Sequence, residues 1–216
     1  MTGFDLPTAL LSGFVGALLA SYITHVFTFR RDEIKNYATK IDDNTNAFSN
    51  MCGLSVTFTR SYARFLRARA NLDAHIQSER IGATIKDSWF LTLGTHASST
   101  AIEYNRDLRD LWETIGVIAA RLEKPQELVD LILNLGNTIR RGEETFAATG
   151  PDSLTTQEDI DTWLRERENS IVNFTDTELH QEMRNLLAYL ETEIDNENAK
   201  LEQMQRDSGK IWKRLS

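Results

Sequence analysis

Proline and cysteine are nearly absent. Only three prolines occur in 216 residues, at Pro7, Pro125 and Pro151. Proline removes a backbone donor and clashes with the preceding turn, so a chain with so few of them permits long helices. The single cysteine, Cys52, excludes an internal disulfide and fits a reducing compartment. Basic charge is also short. Lys and Arg number 24 against 32 Asp and Glu, a net charge of −8. General nucleic-acid binding needs a basic surface, so no nucleic-acid partner is expected. The four histidines are scattered and no Cys/His cluster has zinc spacing, so no metal site is expected. No glycine-rich phosphate loop, Ser/His/Asp arrangement or zinc-protease helix motif is present, and the acid-rich stretches lack the calcium-loop spacing. No catalytic residue and no cofactor follow from such a sequence.

One long apolar run is present. Leu6 to Phe29 carries no charged residue. As a helix it would reach roughly 36 Å, more than the ~30 Å hydrocarbon core of a bilayer. A cleaved signal peptide fits poorly, because no Lys or Arg precedes the run and the run is too long. The reading is an uncleaved transmembrane helix. Arg30, Arg31, Lys35 and Lys40 follow it, whereas only Asp5 precedes it. Positive flanks stay on the cytoplasmic side, so the N-terminus is expected outside and the remainder in the cytoplasm. In a bacterium this would be the inner membrane.

Small residues form rows along this span. Ser12, Gly16 and Ala20 are four apart, as are Gly13, Ala17 and Ser21. Such stripes let membrane helices approach closely, and they predict self-association. Thr24, His25 and Thr28 extend the same side as a polar membrane face. An ionisable residue inside a span is a functional candidate, but His25 is only about a turn from Arg30. Ser and Thr hydroxyls can also bond to their own helix. A tightly packed anchor is therefore preferred over a water-lined oligomer.

Beyond the span the pattern is helical throughout. Ile34, Tyr37, Ile41 and Phe48 continue the membrane helix, and Gly53 predicts a break. Phe58, Tyr62, Phe65, Leu72 and Ile76 predict a second helix, and Tyr104, Leu108, Leu111, Ile115, Ile118 and Leu122 another. Leu128, Ile132, Leu135 and Ile139 follow Pro125, which suits a first helical turn. Thr100 with Glu103, Thr155 with Glu158, and Thr175 with Glu178 have capping-box spacing. Residues 91–99 and 148–155 read as loops. The last helix, from about Thr177 to Leu215, carries Leu179, Met183, Leu186, Leu190 and Ile194. It then thins to Leu201, Met204, Ile211 and Leu215, a seam that needs a partner helix. Gly209 predicts fraying or a bend.

Arg60, Arg64, Arg67 and Arg69 alternate with Phe58, Tyr62 and Phe65. In an acidic chain they read as ion pairs or a solvated face rather than a stacking surface for bases. Arg69 falls on the apolar stripe, so a buried or interfacial ion pair is predicted there, since a buried guanidinium needs a carboxylate. In "RANLDAH" Arg69 lies six residues before His75. This spacing resembles the Arg-x(4–6)-His motif of HEPN-type ribonucleases, an all-helical family. The likeness covers seven residues and implies that the pair would act at a 2′-hydroxyl and scissile phosphate, usually in a dimer. The family usually has a polar residue straight after the arginine, where this chain has Ala70.

The fold class is therefore all-α: an N-terminal single transmembrane helix followed by a cytoplasmic helical bundle with a long C-terminal helix. Residues 1–30 form the anchor, 31–97 the juxtamembrane helices and 98–216 the bundle. The expected function is a single-pass scaffold or interaction protein that self-associates, with the lipid bilayer, further copies of the chain and a protein on the cytoplasmic helices as partners. The layout is similar to that of small bacterial membrane proteins used in phage defence, and that likeness implies a pore-forming or depolarising membrane effector. A membrane-tethered ribonuclease of HEPN type is the enzymatic alternative.

Overall fold

A computed structural model describes residues 6–83, 87–122, 125–146, 150–151 and 153–215, with the side chains of 6–16, 19, 87–88, 125 and 211–215 outside the description. Among the described residues every regular element is helical. Helix α1 is Leu6–Arg80, α2 Asp87–Ala119, α3 Pro125–Phe146, α4 Gln157–Phe174 and α5 His180–Leu215. A single π turn, Thr175–Leu179, joins α4 to α5.

The chain divides into two compact units. The larger, Asn44–Glu193, has one apolar core. Phe58, Tyr62, Leu66 and Ala70 of α1 meet Tyr104, Leu111, Ile115 and Ile118 of α2, and Leu128, Leu135 and Ile139 of α3. Phe174 of α4, Leu179 of the π turn and Met183, Leu186 and Leu190 of α5 complete it. The 3.6-residue period puts these positions on one side of each helix, and full burial of each large side chain stabilises by about 1.5–3 kcal/mol. Tyr104 is the hub of an aromatic cluster, with ring centroids 5.1 Å from Tyr62 and 5.1 Å from Phe65.

The smaller unit joins α1 up to Asp43 with the chain from Ile194. Tyr37 touches Glu197, while Arg30, Glu33 and Ile34 face Met204, Asp207 and Ser208. The numbering falls on one helix as it rises on the other, so the two run antiparallel. The thin seam of α5 thus finds its partner within the same chain. Glu197, 3% exposed, is the polar centre of this pairing. It accepts a hydrogen bond from the Tyr37 hydroxyl, and Lys200 Nζ and Lys40 Nζ lie 3.4 and 3.9 Å from its carboxylate.

Several local expectations are corrected. Gly53 does not break α1: it is exposed, and the buried Met51, Ser55 and Phe58 around it hold the helix against its weak propensity. The helix instead ends at Arg80, where Gly82, at φ +80°, adopts the left-handed conformation. The Gly82 N–H donates to Glu79 O and the Ala83 N–H to Ser78 O, the two bonds of a Schellman stop. Residues 91–99 are helix rather than loop. Thr100 is no cap but sits inside α2, its hydroxyl donating to His96 O and Ala97 O. Thr175 likewise lies inside continuous helix, its hydroxyl donating to Ile171 O and Val172 O. The cap of α4 lies one residue beyond the predicted one. The Asp159 N–H donates to Thr156 Oγ1, and the Thr156 N–H donates to Asp159 Oδ2. Thr100 and Thr175 are buried, and packing keeps each inside its helix, where the hydroxyl bonds back to the preceding turn. Gly209 lies within α5.

Among the described residues no helix is long and apolar enough to cross a membrane. The side chains of the predicted span 6–29 are described from Ala17, Leu18 and Ala20 onward. That stretch is shorter than the roughly 20 residues a bilayer core needs.

Candidate functional site

Ser12, Gly13 and Gly16 of the small-residue rows lie outside the described side chains. Ala17, Ala20 and Ser21 are exposed, as are Thr24, His25 and Thr28. So are Leu18, Tyr22, Ile23, Val26 and Phe29, with Tyr22 68% accessible. This end of α1 therefore presents its described apolar and small faces alike. The Thr24 hydroxyl donates to Ala20 O at 2.8 Å, and that of Thr28 to Thr24 O at 2.9 Å. Neither polar group needs water or another helix to satisfy its proton. Arg30 and Arg31 follow, both exposed and without an ion-pair partner among the described residues.

A second polar centre lies in the larger unit. Arg69 Nε is 3.7 Å from Asp73 Oδ1, one helical turn on. Asp73 is the more deeply buried member of the pair, although Arg69 Nε is buried too. The Arg69 side chain is 43% exposed and that of Asp73 only 1%. A long side chain can lay its stem along an apolar face and keep its charged head in water, which a short aspartate cannot do. Among the described residues neither Asp73 oxygen accepts a hydrogen bond. Burial pushes the Asp73 carboxyl above the usual carboxylate range, although Arg69 and Arg167 pull it down. Arg167 comes from α4. Its guanidinium lies 4.9 Å over the Trp163 ring and donates to Thr145 O. Burial also lowers the Arg167 pKa, against the pull of Asp73.

His75 has other neighbours. Its Nε2 is 4.0 Å from Glu79, and its ring centroid is 6.0 Å from that of Phe90. Arg69 therefore pairs along its own helix with Asp73, while His75 sits beside Glu79 and Phe90, and among the described residues no hydrogen bond or ion pair joins Arg69 to His75. Of the remaining arginines, Arg64 is 3.6 Å from Glu103, and Arg60 and Arg67 are exposed.

Other polar residues escaped the sequence reading. Asp73 was legible in principle, because i,i+4 from an arginine on one helix is ion-pair spacing. Glu143 accepts a hydrogen bond from the buried Tyr104 hydroxyl, whose pKa rises through burial and that bond. The Tyr62 hydroxyl donates to Ile139 O at 2.7 Å. Arg141 and Glu178 pair at a groove of about 420 Å³ beside the π turn, with Phe146 and Phe174 in its wall. These contacts join residues far apart in sequence, and no local pattern announces them.

No family model matches the chain, and no curated protein or solved structure matches it either.

Proposed function

We propose that the chain is a single-pass, membrane-anchored helical scaffold or interaction protein that self-associates. Its N-terminus would lie outside, and the chain from Arg30 onward in the cytoplasm. The observation that carries this reading is the row of exposed apolar side chains Leu18, Tyr22, Ile23, Val26 and Phe29, directly followed by Arg30 and Arg31, which have no ion-pair partner among the described residues. Exposed Leu, Ile, Val, Phe and Tyr on one helix end are costly in water and at home in lipid. The small residues Ser12, Gly13, Gly16, Ala17, Ala20 and Ser21 would be the packing face between copies. Full-length protein should resist carbonate extraction from membranes, and Gly16→Leu should lower its native mass in detergent without altering membrane potential. Extraction by carbonate would refute the anchor. An unchanged mass would refute this packing face.

Two other readings have distinct signatures. An oligomeric pore through Ser21, Thr24 and Thr28 would depolarise cells on overexpression and lose that effect in Thr24→Leu. The satisfied threonine hydroxyls favour packing over a water-lined channel. A ribonuclease would lose RNA cleavage in His75→Ala, and the separate surroundings of Arg69 and His75 weigh against it.

A further inference from the structure

The far end of α5 has a composition that the scaffold reading leaves unexplained. From Lys210 the sequence runs Lys-Ile-Trp-Lys-Arg-Leu, and α5 continues to Leu215. Within the smaller unit, Met204, Asp207 and Ser208 face Arg30, Glu33 and Ile34 of α1. Because the two segments are antiparallel, the seven residues after Ser208 carry α5 about 10 Å further toward the N-terminal end of α1. They advance from the level of Arg30 toward the exposed apolar stretch that ends at Phe29. Charge is concentrated at the same level. Segments 30–35 and 206–214 together hold seven basic residues and three acidic ones, an excess of four in a chain whose net charge is −8. Arg30, Arg31 and Lys35 have no acidic partner among the described residues, and Lys210 stays 73% exposed although Asp207 is 3.3 Å away.

We propose that the terminal turns of α5 lie in the headgroup layer of the membrane that α1 enters, and that they bind its anionic lipids together with Arg30, Arg31 and Lys35. This rests on the membrane-anchor reading and adds a second contact with a defined lipid class. A positive cluster opposite a negative leaflet is favourable within a Debye length. A tryptophan among the basic residues suits the boundary where one end of a ring is wet and the other apolar. Residues 194–215 would then be fixed at both ends, by Glu197 against α1 and by lipid at the tip.

The test uses the full chain in bilayer nanodiscs of phosphatidylglycerol or of phosphatidylcholine, each doped with lipid brominated near the headgroup. Tryptophan emission of the wild type is compared with that of Trp212→Phe, so that the three other tryptophans subtract out. The emission due to Trp212 should be quenched more in the anionic discs. Lys210→Gln/Lys213→Gln/Arg214→Gln should remove roughly half of that quenching or more. Co-elution of the chain with lipid but an unquenched Trp212 would overturn this proposal and leave the anchor standing. Equal quenching in both lipids, indifferent to the triple substitution, would overturn the recognition of anionic headgroups. A chain that elutes free of lipid would overturn the anchor and this proposal with it.

Discussion

Gly142 is the most tightly enclosed of the described glycines, and its replacement by alanine tests the packing directly. The residue is buried in α3. A Cβ built on it would run into the Tyr62 hydroxyl and would stand 2.6 and 2.8 Å from two ring carbons of Phe174. Both rings are held by aromatic neighbours. Tyr62 is 0% exposed and stacked on Phe58 at 5.8 Å, and Phe174 packs on Phe146 at 5.4 Å. Overpacking of such a site costs about 1–3 kcal/mol. Displacing the Tyr62 hydroxyl also strains its bond to Ile139 O, worth about 1 kcal/mol. Alanine has the better helix propensity and returns at most about 1 kcal/mol. The expected net loss is about 1–3 kcal/mol, a fall in Tm of roughly 3–10 °C for a unit of this size. Gly136→Ala is the control. Gly136 lies on the same helix with nothing within 4 Å of its would-be Cβ, so alanine there should stabilise by up to about 1 kcal/mol. Thermal unfolding of both variants, followed by circular dichroism in detergent, decides the matter. If Gly142→Ala melts as high as Gly136→Ala, the close approach of α3, Tyr62 and Phe174 is wrong.

Asp73→Asn should melt above the wild type at neutral pH. The folded state raises the Asp73 pKa, so the ionised carboxylate is penalised above that pKa and relieved as the pH falls through it. The gap between the two proteins should therefore close toward about pH 4, and a wild type more stable at pH 7 would mean that Arg69 and Arg167 outweigh burial. Glu197→Ala should loosen the pairing of α5 with α1, costing about 2–3 kcal/mol through the lost Tyr37 and Lys40 contacts. Faster hydrogen exchange confined to 28–43 and 194–210 would report it, and unchanged protection would refute it. Leu111→Ala, at 0% exposure in α2, should cost about 2–5 kcal/mol in the same melting assay. A loss below 1 kcal/mol would deny it a core position.

The helical class and most of the core were legible because the period of 3.6 survives in every long element. Tyr104, Leu111, Ile115 and Ile118 are all buried on one face of α2, with Leu122 buried just beyond its end, and Leu179, Met183, Leu186, Leu190 and Ile194 do the same on the way into α5. Pro125 opens α3 as its fixed backbone angle suggests. Boundaries were harder, and for one reason. Gly53, Thr100 and Thr175 carry local signals for a stop or a start, yet each lies inside a helix whose neighbours are buried. A local preference of about 1 kcal/mol yields to the burial of two or three large side chains. The true stop is at Gly82, which is exposed with no described atom within 4 Å of a would-be Cβ, and its glycine admits the positive φ.

The polar centres follow a different logic. Arg69 was readable because it interrupts an apolar stripe, and its partner lay four residues away on the same helix. Arg167, Glu143 and Glu197 were not readable, because each meets its partner across more than thirty residues of chain. Glu197 shows what such a residue contributes. The seam of α5 after Ile194 is too thin to choose an alignment by apolar contact alone. A buried carboxylate that must find Tyr37 and lie near Lys40 of α1 penalises every alignment that takes it away from them. Its removal should therefore weaken the alignment of the pair more than its apolar contacts. With Glu197→Gln, which keeps the shape and loses the charge, the α5 segment should stay helical while losing its fixed register against α1. Disulfide trapping between cysteines at positions 34 and 204, in a Cys52→Ser background, would read this as a fall in yield with shifted pairings appearing. An unchanged yield would assign the register to the apolar seam after all.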